Sequence, residues 1–174
     1  MQSIEESPFL FKNLVCSFQV EFLARTFPQA VFVHCRRNPI YVAQSLLRCR
    51  EQYRENREAW FSVKPEAYPE LKDLPYPDQI AGQIYHTRRH VEDTFQQLSE
   101  VRYCRVDYET MVDAPVSSLD HISVVVEQAG GTLERREGVS LPRLTSTNER
   151  VIEASEFERL RSSCRHFFET NQFM

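Results

Sequence analysis

Residues 30–50 read AVFVHCRRNPIYVAQSLLRCR, and the change of pattern inside this stretch decides the fold class. Ala30 to Cys35 is mostly apolar and partly β-branched, the composition of a buried strand. Asn38 suits a helix N-cap, and Pro39 suits the first helical position, where a missing N–H breaks no bond. The chain therefore passes from strand to helix where Arg36 and Arg37 stand. A helix start behind a strand offers N–H groups and the positive end of a dipole to an anion. Arg37 adds a forked cation matched to phosphate or sulfate oxygens. Asn38, Val42 and Ser45 fall at i, i+4 and i+7 and share one helical face. The Ser45 hydroxyl can thus turn toward an anion that Arg37 also holds.

Working outward, Phe11-Lys12-Asn13 ends a short apolar run, and Val15, Phe18 and Phe22 then share a helical face. The pattern predicts strands at 8–12, 30–36 and 101–107. It predicts helices at 14–26, 39–57, 115–129 and 153–170, and one capped by Asp78 and running to about Ser99. Residues 61–77 hold Pro65, Pro69, Pro75 and Pro77 and read as a long irregular loop able to shape a pocket. Residues 131–150 read as polar and irregular. Strands alternating with helices imply an α/β protein with a mostly parallel sheet.

Composition sets the outer bounds. The chain has 174 residues, 41% hydrophobic and 26% charged, which predicts one globular domain over 1–174. A formal net charge of −4 argues against a nucleic-acid partner held by bulk electrostatics. No apolar run reaches membrane-spanning length, and MQSIEESPFLF lacks a secretory pattern, so no membrane partner is expected. The five cysteines are odd in number, widely spaced and free of a Cys-x-x-Cys pair. That pattern predicts neither a disulfide framework nor a zinc site, and a reducing cytoplasm.

The strand, Arg37-Asn38-Pro39, and Ser45 eight residues after Arg37 resemble the 3′-phosphate-binding motif of sulfotransferases that use 3′-phosphoadenosine 5′-phosphosulfate (PAPS). The flanks resemble that family too: Lys12 before a helix, Phe27-Pro28-Gln29-Ala30 before the strand, and Tyr108, Glu109, Met111 and Pro115 after a later strand. The resemblance runs in order over roughly residues 8 to 131. It implies a three-layer, mostly parallel sheet flanked by helices, the P-loop NTPase-like sulfotransferase fold. It implies sulfuryl transfer from PAPS to an acceptor hydroxyl or amine, without a metal. Arg37 and Ser45 would bind the nucleotide's 3′-phosphate, and Lys12 would lie near the transferred sulfuryl group as its catalytic cation.

The family begins with a Gly-rich turn for the 5′-phosphosulfate, whereas Gly82 is the first of four glycines here. The sequence therefore reads as an N-terminally truncated member, impaired in the isolated chain: a fragment, a natural protein that lost its N-terminal half, or one that receives that half from another chain. Leu14 stands where cytosolic members carry a catalytic His, so no general base is named. The alternative is a non-catalytic nucleotide-binding or protein-interaction module derived from a truncated sulfotransferase. The late Arg-Lys-Gly loop of the family is not recognisable, with Arg143 or Arg150 as substitutes.

Other residues read as structural. His86 and His90 have metal-ligand spacing, but Arg88 and Arg89 between them oppose a cation. Asp107 and Glu109 are a strand end and turn before they are a carboxylate pair. His34 and Trp60 read as packing residues.

If a neighbouring strand is missing, strand 30–36 presents unpaired backbone groups along an apolar element. Self-association, or pairing with a complementing chain, is the expected result. Sedimentation at micromolar concentration checks it: a monomer whose strand 30–36 amides exchange slowly would refute it.

Overall fold

The computed structural model describes residues 9–99, 102–135 and 138–170. The order is α1 (Val20–Thr26), β1 (Phe32–Arg36), α2 (Pro39–Arg54), α3 (Tyr68–Leu71), α4 (Tyr76–Phe95), β2 (Tyr103–Asp107), α5 (Tyr108–Asp113), α6 (Pro115–Gln128) and α7 (Ala154–Thr170). The described residues fall into two compact units, one drawn from 9–36 and 93–145 and the other from 37–92 and 146–170.

In the first unit β1 and β2 pair in parallel, in register from Phe32 opposite Tyr103 to Arg36 opposite Asp107. Cys104, Val106 and Val125 make the buried cluster, with Val31, Val33, Met111 and Ile122 against it. At the carboxyl end of the ladder Arg36 donates from Nε and Nη2 to both Asp107 oxygens, at 2.9 and 2.7 Å. That bidentate pair locks the register of two strands with few residues to pair. Arg102 serves the other end: it donates to the carbonyls of Ala24, Phe27 and Ala30 at 2.8–3.3 Å. It thereby satisfies acceptors left open past the end of α1.

The second unit has its own core. Ile40, Ala43 and Leu47 of α2, Tyr76, Ile80 and Ala81 of α4, and Phe157, Leu160 and Cys164 of α7 pack together. In α2 and α7 the spacings of three, four and seven residues are those of one apolar helical stripe. Asn38 caps α2 as expected, its side chain accepting from the Ile40 N–H at 3.2 Å. Gly82 stands mid-helix in α4 because an added Cβ would lie 2.4 Å from Leu71 Cδ2.

The structure departs from the sequence reading in several places. The α/β class holds as a small parallel sheet with helices, two-stranded among the described residues. Residues 9–12 form no strand, and Phe9, Leu10 and Phe11 are 88%, 90% and 63% exposed. An apolar run becomes a strand only with a ladder partner, and instead Phe9 stacks on Phe11. The expected helix at 14–26 is a 3₁₀ turn, Leu14–Phe18, followed by α1. Asp78 lies inside the first turn of α4 rather than capping it, because the Pro75 carbonyl accepts from Asp78 and Gln79. The 61–77 loop contains α3. β2 runs directly into α5, whose Met111 joins the buried cluster, before Pro115 opens α6. Residue 8 of the first expected strand, residue 101 of the last, and residues 1–7 lie outside the described residues.

Leu47 is 1% exposed at the centre of the second unit. Leu47→Ala should lower the unfolding free energy by about 2–5 kcal/mol, read as a lower urea midpoint.

Candidate functional site

Arg37 leaves the end of β1 and is held by a segment more than a hundred residues away. Its Nε donates to Asn148 Oδ1 at 2.7 Å. Its Nη2 donates to the Thr147 carbonyl at 2.9 Å and to Thr147 Oγ1 at 3.1 Å. The guanidinium carbon lies 5.8 Å from the centre of the Tyr41 ring. The segment is itself clamped to α2. Gln44 Nε2 donates to the Glu149 carbonyl, and Gln44 Oε1 accepts from the Val151 N–H, both at 2.8 Å. Residues 147–151 therefore form a strap along the first turns of α2. It fixes a half-buried, permanently charged fork at the helix start.

Ser45 is exposed, four residues after Tyr41 and on the same helical side. The ring under Arg37 and the hydroxyl of Ser45 thus line one face of α2. The backbone contributes less than the sequence implied. Pro39 has no N–H, the Asn38 side chain takes that of Ile40, and the Asn38 carbonyl takes that of Tyr41 at 3.1 Å. The Ile40 and Tyr41 amides at this helix start are therefore already engaged. Tyr41, Gln44, Thr147 and Asn148 went unnoticed in the sequence. Gln44 alone carried a signal, as an amide on the stripe between Ile40 and Leu47.

The other candidates separate. Lys12 ends no strand and is exposed; it belongs to the first unit, while Arg37 and Ser45 belong to the second. Asp107 is engaged by Arg36. Arg143 is exposed in the first unit. Arg150 lines an open groove of about 640 Å³ with Leu47, Arg48, Arg57 and Glu156. In that groove Arg57 pairs with Glu51 and Glu156, and the Tyr76 hydroxyl donates to Glu156. Trp60 is a packing anchor, edge-on to Tyr68 at 4.7 Å and donating to the Val63 carbonyl at 3.0 Å. His34 packs edge-on to Phe95. Among the described residues no three His, Cys, Asp or Glu side chains gather as metal ligands. No helix among them is long and apolar enough to cross a membrane.

A model of the sulfotransferase family matches residues 2–127. That span contains Lys12, Arg37 and Ser45. No curated protein and no solved structure matches the chain.

His86 packs edge-on to Tyr85 and Phe167. Its burial, and next the nearby Arg89, hold its pKa below the usual 6.5, with Glu70 opposing. The unfolded chain then binds the proton more readily than the folded one. Stability is full above the usual value and falls as pH drops from it toward the folded pKa. His86→Gln should flatten this acid-side loss, measured as urea midpoints across that window.

Proposed function

Because the chain belongs to the sulfotransferase family, we propose that it acts on PAPS and transfers the sulfuryl group to an acceptor hydroxyl or amine. Arg37 and Ser45 hold the 3′-phosphate of the nucleotide, and Lys12 faces the sulfuryl group. In the transfer the bond from sulfur to the donor's phosphate oxygen breaks, a bond from sulfur to the acceptor forms, and the acceptor's proton departs. The fixed Arg37 guanidinium charge carries this reading. A guanidinium oriented by Thr147 and Asn148, beside a face that bears a hydroxyl, suits a tetrahedral oxyanion in charge and donor type. A cation at Lys12 would offset charge on the sulfuryl oxygens. The same reading takes residues 1–174 as one sulfotransferase-like domain of the three-layer, P-loop NTPase-like kind. It places the chain in the cytoplasm, in keeping with five free cysteines.

A second reading, a non-catalytic nucleotide-binding or protein-interaction module, is favoured by one residue. Leu14, half exposed, stands where a proton acceptor is expected and cannot take a proton.

Titration of adenosine 3′,5′-bisphosphate tests the nucleotide site. Arg37→Ala should weaken binding by about 1.5–3 kcal/mol, roughly 10- to 150-fold, as for a lost charge-assisted contact. Ser45→Ala should lose about 0.5–1.5 kcal/mol. Equal affinity in wild type and Arg37→Ala would sink the assignment. Nucleotide binding without turnover of PAPS over a panel of phenols, alcohols and amines would select the second reading.

A further inference from the structure

Arg50, on the buried side of α2, is 0% exposed. Only its Nη1 is engaged, donating to the Arg57 carbonyl at 3.1 Å and to Gln79 Oε1 at 2.9 Å. Nε and Nη2 are buried and bond nothing. Those two nitrogens form the edge of a guanidinium that presents two parallel N–H groups. Arg36 spends that edge on the carboxylate of Asp107, and Arg37 spends it on Thr147 and Asn148. In Arg50 the same edge is bare. The guanidinium lies 5.4 Å from the Trp60 ring centre, and burial pushes its pKa down to about 10, against the pull of Glu58. A buried guanidinium with unbonded N–H groups is expensive. Native proteins generally answer such atoms with an ion, a ligand or a water.

The cover over this group is residues 55–63. Its ties to the rest of the unit run through side chains, among them the Arg57 pairs with Glu51 and Glu156, which lifting must also break. Arg50 Nη1 takes the Arg57 carbonyl, Gln83 Nε2 takes those of Phe61 and Val63 at 2.9 and 2.7 Å, and Trp60 also donates to Val63. Glu55 and Ser62, near its two ends, both have left-handed backbone, at φ 52° and 71°. Non-glycine residues in that region carry strain. Gln83 Oε1 and Thr87 Oγ1 are also buried and unbonded. They follow Gln79 on α4 at i+4 and i+8, so the three share one face.

We propose that the Nε/Nη2 edge of Arg50 is an oxyanion site for the carboxylate or phosphate group of a ligand, and that residues 55–63 are the lid that admits it. The edge offers only donors and a positive charge, so its ligand is an anion with paired oxygens. It has almost no contact with solvent in the closed form, so entry requires the lid to lift. Lifting exchanges the carbonyl latches for water and relieves Glu55 and Ser62. The site uses none of Arg37, Ser45 or Lys12, so its failure leaves the PAPS reading standing, and the converse.

The test observes the Arg50 Nε–H by proton–nitrogen NMR, in an Arg37→Ala background that removes the other anion site. Sodium acetate or inorganic phosphate replaces chloride at constant ionic strength. The Arg50 signal should move and saturate with at least one of them, and which one separates a carboxylate ligand from a phosphate ligand. At saturation the amides of residues 56–63 should exchange at least threefold more slowly. Arg50→Lys, which keeps the charge and loses the fork, should abolish the slowing of exchange. Should that variant fail to fold, Ser62→Gly, which suits the left-handed backbone and so removes the strain that lifting relieves, should slow anion binding at least threefold. Three results would overturn the proposal. One is a signal that stays put in both anions while showing contact with internal water. Another is an equal response to chloride. The third is a signal in anion-free protein that shifts on Glu58→Gln, which would make Glu58 the fork's own partner.

Discussion

Gln44 is 5% exposed on the buried side of α2, and its amide behaves as an extra peptide group. It donates to the Glu149 carbonyl and accepts from the Val151 N–H. A backbone segment with no strand beside it needs partners for such groups if it is to lie against a helix. One side chain supplies both an acceptor and a donor. Much of the second unit follows from that clamp. Thr147 and Asn148 reach Arg37, and Ile152 packs against the core that Phe157 and Leu160 of α7 share with α2. An apolar residue at position 44 would fit the stripe in hydrophobicity and leave two backbone groups without partners.

Arginine does the joining throughout this fold. Arg36 ties the ends of β1 and β2, and Arg102 gathers three carbonyls around the turn before β1. Arg37 is gripped by the strap. The planar fork explains the choice: it presents several donors in fixed directions, so one side chain binds two acceptors at little further loss of conformational freedom. A lysine in any of these places would keep the charge and lose the geometry. The adjacent pair Arg36-Arg37 shows how sharply the roles divide. Arg36 is spent on the register of the sheet, and Arg37 alone is oriented at the helix start, next to the face that carries Ser45.

Much of this was written locally in the chain. The turn from β1 into α2, the Asn38 cap, Pro39 in the first turn, and the stripes of α2, α4, α6 and α7 each depend on residues within a few positions of one another. Steric rules and helical periodicity act over that range, so sequence alone determined them, together with the α/β class and the family motif of Arg37, Pro39 and Ser45. Tertiary structure decided the rest. Residues 9–12 carry a strand's composition and form none, because a strand exists only by pairing. Asp107 was a candidate acid until Arg36, 71 residues earlier, took both its oxygens. Thr147 and Asn148 lie in a polar stretch with no pattern of its own, and they matter only because Gln44 lays them against α2. Hydrogen-bond partners that distant leave no periodic trace in a sequence. They are chosen when packing brings two backbones together and every buried donor must find an acceptor.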